Sequence, residues 1–84
     1  MTTTKHPVPD TCLGLRRADL SLSDLLEEIR DVRNDVAVLE DYEAGRVSVA
    51  ELRRDTTFQT TDLPLLRAAL ATLRAWRASH IVTV

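Results

Sequence analysis

The sequence predicts an all-α protein, a small helical bundle or an αα-hairpin with a short connecting helix. Three observations carry this. Leu22, Leu25, Ile29, Val32, Val36 and Leu39 step by three and four residues, which is one face of a helix, whereas period-two alternation fails throughout. Gly45 and the capping-box pattern Ser48-Val49-Ala50-Glu51 mark where one helix stops and the next starts. Leu63, Leu66, Ala69, Leu70, Leu73 and Trp76 then repeat the helical stripe.

Residues 1–12 read as a flexible N-terminal arm: three threonines, Pro7 and Pro9 offer no apolar periodicity. A single helical domain is expected over 13–80. Its first stretch is ambiguous, because Leu13, Leu15 and Leu20 suit a core while Gly14 and the Arg16-Arg17 pair break any pattern. The first helix is expected at about 23–44, with Ser23-Asp24 capping its free amides and Glu27 and Glu28 near the positive end of its dipole. The second runs over about 48–55. Residues 56–61 are rich in threonine and read as a loop with Phe58 turned inward. The third helix is expected over 63–79, with Pro64 tolerated in its first turn and Arg74 and Arg77 suited to its negative end. Residues 81–84 read as a C-terminal tail.

Composition narrows the function classes. The chain has 84 residues, 44% hydrophobic, with a formal net charge of −2 from 13 acids and 11 bases. That suits one packed domain, and it argues against attachment to DNA or a membrane by bulk positive charge. The total hides a segregation: residues 21–45 carry eight acids against Arg30 and Arg33, a net of −6, and the remainder carries +4. No apolar run approaches the ~20 residues of a membrane span, and the start lacks the apolar region of a signal peptide. With one cysteine, Cys12, no internal disulfide can form, and a cytoplasmic location is expected.

Catalytic chemistry finds little footing. His6, Cys12 and His80 show no metal-ligand spacing, and the carboxylates do not follow a calcium loop. Gly14 and Gly45 are too far apart for a phosphate-binding loop. No orienting group is indicated for a Cys12–His80 pair. The expectation is therefore no enzyme, no cofactor, no metal and no small-molecule substrate. A helix-turn-helix fits poorly, because residues 55–62 exceed a three- or four-residue turn and Leu63-Pro64-Leu65-Leu66 lacks base-reading side chains.

The favoured expectation is a non-catalytic protein–protein interaction module, an adaptor, assembly or regulatory subunit working through helix–helix contacts. The alternative is a compact DNA-binding regulator or an antitoxin-like inhibitor. The first stripe is a heptad seam, with Leu22, Ile29 and Val36 at a and Leu25, Val32 and Leu39 at d. It either forms the core with the third helix or pairs with a second chain as a coiled coil. Charge favours the internal arrangement, since a parallel homodimer would set Asp35 against Glu40. Leu26, Val38, Leu65 and Trp76 are the candidates for a second-face contact with another protein or a homo-oligomer partner, with core filling the competing role for Trp76. Arg67, Arg74 and Arg77 are candidate contacts to phosphate or to an acidic partner. The acidic helix itself would suit a basic partner.

Overall fold

A computed structural model describes residues 8–82; the expected arm at 1–7 and the end of the tail at 83–84 lie outside the described residues. The described residues are mostly helical, with three packed helices and one small two-stranded sheet. A hairpin of β1 (Thr11–Cys12) and β2 (Leu15–Arg16) comes first, then a 3-10 turn over Arg17–Asp19. The helices α1 (Leu22–Glu43), α2 (Val49–Asp55) and α3 (Leu63–Val82) follow, with a second 3-10 turn at Thr60–Asp62 leading into α3.

The helix boundaries have local causes. Ser21, rather than Ser23, caps α1. Its Oγ accepts from the Asp24 N–H at 3.1 Å, and Asp24 Oδ2 accepts from the Ser21 N–H at 3.2 Å. This reciprocal pairing satisfies two donors that the first turn would otherwise leave open. At the other end Gly45 has φ +78°, its N–H reaches the Tyr42 carbonyl, and the Arg46 N–H reaches that of Asp41. Those two bonds make a Schellman stop, in which the left-handed residue is cheapest as glycine. The capping box at the start of α2 forms as expected, with the Glu51 N–H donating to Ser48 Oγ and the Ser48 N–H to Glu51 Oε1, each at 3.2 Å. The third helix passes its expected end at Ser79 and takes in residues 81–82, because neither glycine nor proline interrupts it there.

The N-terminal segment departs most from expectation. Pro9, Asp10 and Cys12 are hydrogen-bonded to later parts of the chain. The Arg17 N–H donates to the Asp10 carbonyl at 2.8 Å, closing the open end of the hairpin. Leu13 and Gly14 have φ +52° and +80°, the positive pair that a two-residue type I′ turn requires. On the inward side, the buried Cys12 Sγ–H donates to the Ala69 carbonyl at 3.6 Å, and Trp76 Nε1–H donates to the Pro9 carbonyl at 2.8 Å. The hairpin thus lies on α3 and extends the domain back past residue 13.

The seam from Leu25 to Leu39 is consumed inside the chain. Leu25, Ile29, Val32 and Leu39 are buried with Leu63, Leu66, Leu73 and Trp76, while Val36 is part-buried and Leu22 is exposed. The α1 and α3 contacts run in opposite senses: Glu40 late in α1 meets Arg67 early in α3, and Arg30 and Arg33 share a groove with Arg74 further along α3. Each fully buried leucine contributes roughly 1.5–3 kcal/mol relative to exposure. The short α2 packs on α1 and buries Leu52. Thr56 is buried at its end and accepts from the Phe58 N–H, while Arg53 donates to the Phe58 carbonyl at 2.7 Å. Phe58 packs against the core, as the loop reading anticipates.

Candidate interaction surface

The seven candidate residues do not form one patch. Val38 is 8% exposed and Trp76 is 1% exposed, so both belong to the core and neither offers a second face. Val38 lies off the seam yet joins the same core cluster, and both α2 and α3 pack on α1. Trp76 fills the space between α3 and the hairpin, with its indole N–H satisfied by Pro9.

Leu26 and Leu65 are exposed, at 42% and 55%. They stand at opposite ends of the α1–α3 pair. Glu40 meets Arg67, so at 1.5 Å per residue Leu26 and Leu65 are separated by roughly 24 Å along the axis. Leu65 also points about 160° around α3 from Arg67 at 100° per residue. No single partner helix lying across one end would touch both.

The arginines divide too. Arg67 Nη2 donates to Glu40 Oε2 at 2.7 Å, tying the end of α1 to the start of α3. Glu40, Asp41 and Glu43 sit at the negative end of the α1 dipole, where carboxylates are unfavourable. The Arg67 contact, with Arg46 Nη1 on Asp41 Oδ1 at 3.1 Å, offsets part of that cost. Arg77 is exposed. Arg74 lines an open groove of about 490 Å³ between α1 and α3, together with Arg30, Arg33, Asn34, Glu40 and the floor residues Val36, Ala37 and Leu70.

Arg30, Arg33 and Leu22 are the residues that sequence reasoning missed. A helical wheel carries the signal: Leu22, Leu26, Arg30, Arg33 and Ala37 fall within an arc of about 80° at 100° per residue. That arc adjoins the buried seam, so it borders α3 once the helices pack. Leu22, like Leu26, is 42% exposed. One side of α1 therefore runs from two exposed leucines into an arginine-lined groove.

A second cleft, of about 630 Å³, opens between the hairpin and the end of α3, bordered by Asp10, Thr11, Arg16, Arg17, Ser79 and His80. Ser79 and His80 are sequence neighbours on one helix, so their side chains leave it about 100° apart. That divergence does not suit proton transfer from a serine to a histidine base.

Two ionisable groups are displaced from their ordinary behaviour. Burial, and then the negative charge of Glu28, push the Cys12 thiol up. Burial also pushes the Asp35 carboxyl up; a hydrogen bond from Thr56 opposes this, and the charge of Asp31 adds to it. Neither stands in a cleft with a reacting partner. Among the described residues no group of three or more His, Cys, Asp or Glu side chains could hold a metal ion, and no helix is long and apolar enough to cross a membrane. Comparison of the chain with protein-family models, with curated proteins and with solved structures found no match.

Proposed function

We propose that the chain is a small non-catalytic protein–protein interaction module, in which α1 and α3 form an αα-hairpin bridged by α2 and present one side to a helical partner. The observation that carries this is the exposed pair Leu22 and Leu26, one turn apart and continuous along α1 with the groove. Exposed leucines at helical spacing beside an open groove suit the seating of an amphipathic helix. The core already uses the heptad seam, so partner binding requires no unfolding of the domain. A DNA-binding regulator has less support. The start of α3 puts Leu63 and Leu66 into the core, and Arg74 stands beside the acidic α1 rather than at the tip of a recognition helix.

The test is affinity capture from the native host with the wild-type chain and with Leu22→Glu/Leu26→Glu. The reading expects one stoichiometric protein that the double variant loses while its thermal unfolding stays unchanged. Retention by the variant, or capture of nucleic acid instead, contradicts it.

A further inference from the structure

We propose that the groove between α1 and α3 is a carboxylate-recognition site that seats an acidic helix of a partner protein. This rests on the interaction reading above and names the partner's chemistry.

Arg30 and Arg33 are the only cations on α1, against eight acids in the same segment, and both line this groove together with Arg74. Three like charges thus surround an apolar floor. Among the described residues Arg33 and Arg74 have no ion-pair partner, and Arg30 has only an exposed contact of 3.8 Å to Asp31. Such an exposed contact adds little. Most acids of α1 point elsewhere: Asp24, Glu28, Asp31 and Asp35 leave the helix about 100° or more away from Arg30 and Arg33, and Glu27, about 60° from Arg30, does not line the groove. Glu40 is the one carboxylate lining the groove, and Arg67 engages it. Gathering three arginines around one carboxylate that Arg67 already engages costs stability that an anionic ligand would recover.

The spacing and the floor select the ligand. Arg30 and Arg33 are one turn apart, and carboxylates at i and i+3 or i+4 of a facing helix lie at a matching 5–6 Å. Arginine takes carboxylates bidentately, and its stem can cover the apolar floor while the head stays available. Val36, Ala37 and Leu70 below, with Leu22 and Leu26 beyond, give apolar side chains of an amphipathic helix a place to bury. A phosphate backbone would leave those positions unused and would meet the acidic remainder of α1. A second copy of this chain fits poorly as well. Two-fold pairing through the groove would oppose arginine to arginine, and pairing of the groove with the acidic side of α1 would leave an open-ended chain.

The experiment titrates the labelled full chain with three probes, followed by amide and arginine side-chain NMR. They are a synthetic amphipathic peptide with glutamates at i, i+4 spacing beside leucines, the same peptide with glutamine for glutamate, and a short DNA duplex. The glutamate peptide is expected to shift Arg30, Arg33, Leu70 and Arg74. Its binding should weaken by about tenfold or more in Arg33→Glu/Arg74→Glu, in raised salt, and on replacement by the glutamine peptide. Arg33→Gln/Arg74→Gln, with circular dichroism as a check on folding, provides a second variant of intact shape. Equal binding of both peptides, binding unchanged in both variants, no binding of the glutamate peptide, or stronger binding of DNA overturns the assignment. If the glutamate peptide fails while Leu22- and Leu26-dependent capture persists, only the carboxylate assignment falls. If the wild-type chain captures no protein, the interaction reading falls with it.

Discussion

The indole Nε1–H of Trp76 donates to the main-chain carbonyl of Pro9 at 2.8 Å, joining groups 67 positions apart in sequence. This bond, with the Cys12 contact to Ala69, holds the hairpin on α3. Trp76→Phe keeps an aromatic ring in the core but removes the donor and leaves a small void. We expect a loss of about 1–3 kcal/mol in denaturant unfolding. Cys12 is buried and its thiol pKa is raised, so wild-type alkylation at neutral pH should be slow. In Trp76→Phe alkylation should accelerate by about tenfold, corresponding to about 1.4 kcal/mol less protection of the hairpin. An unchanged rate would mean that the indole does not hold the hairpin down.

Leu13 occupies the left-handed region at φ +52°, where a branched apolar side chain is disfavoured and asparagine is tolerated. It is also on the surface, so little burial is forfeited by replacing it. Leu13→Asn converts the turn to Asn-Gly, the favoured type I′ pair. The variant should be more stable by up to about 1 kcal/mol, a rise in Tm of several degrees for a domain of this size. A lower Tm would contradict the turn assignment.

Asp35 sets a pH dependence. Its carboxyl pKa is raised, with burial the largest cause. Its stabilising contribution is therefore fully present below the unfolded-state value, about 3.9, and is lost as pH rises through the folded-state value. Asp35→Asn retains an oxygen that can accept from Thr56 and removes the charge. It should be more stable than the wild type at pH 7, with the gap narrowing as the pH falls through the raised folded-state value and closed by about pH 4. Urea midpoints across this range decide the matter; a gap that stays constant would locate its cause outside the titration.

Glu40 and Arg67 form a close ion pair, yet both side chains remain about half exposed, at 50% and 54%. Solvent screening limits such a pair, so a double-mutant cycle with alanine should give a coupling of about 0.2–1 kcal/mol that fades in high salt. A larger, salt-insensitive coupling would require burial that this pair lacks.

The helical elements were legible because their signals are local. Reciprocal caps, Gly45 and a three-four apolar step each act within a few residues, and the Ser48–Glu51 box forms as its pattern implies. The hairpin was not legible. Its strands are two residues each, too short for alternation to register, and its turn is Leu-Gly rather than Asn-Gly. Its stability comes from Ala69 and Trp76, far along the chain. The proposed surface was legible in part. Leu26 and Arg74 could be picked from periodicity and charge, whereas Val38, off the seam, is buried by packing that periodicity does not show. Arg30 and Arg33 looked like minor neutralising charges on an acidic helix. Only packing against α3 brings them beside Arg74.

The central claim is that partners are met on the Leu22–Leu26 side of α1, along its groove with α3. A photo-crosslinking side chain placed at Leu26, and separately at Leu65 as the comparison, tests it most directly in cells of the native host. Both leucines are exposed, so the fold tolerates either replacement. The account predicts one discrete protein adduct from position 26 and none of that size from position 65. An adduct from position 65 alone, or none from either, would contradict it.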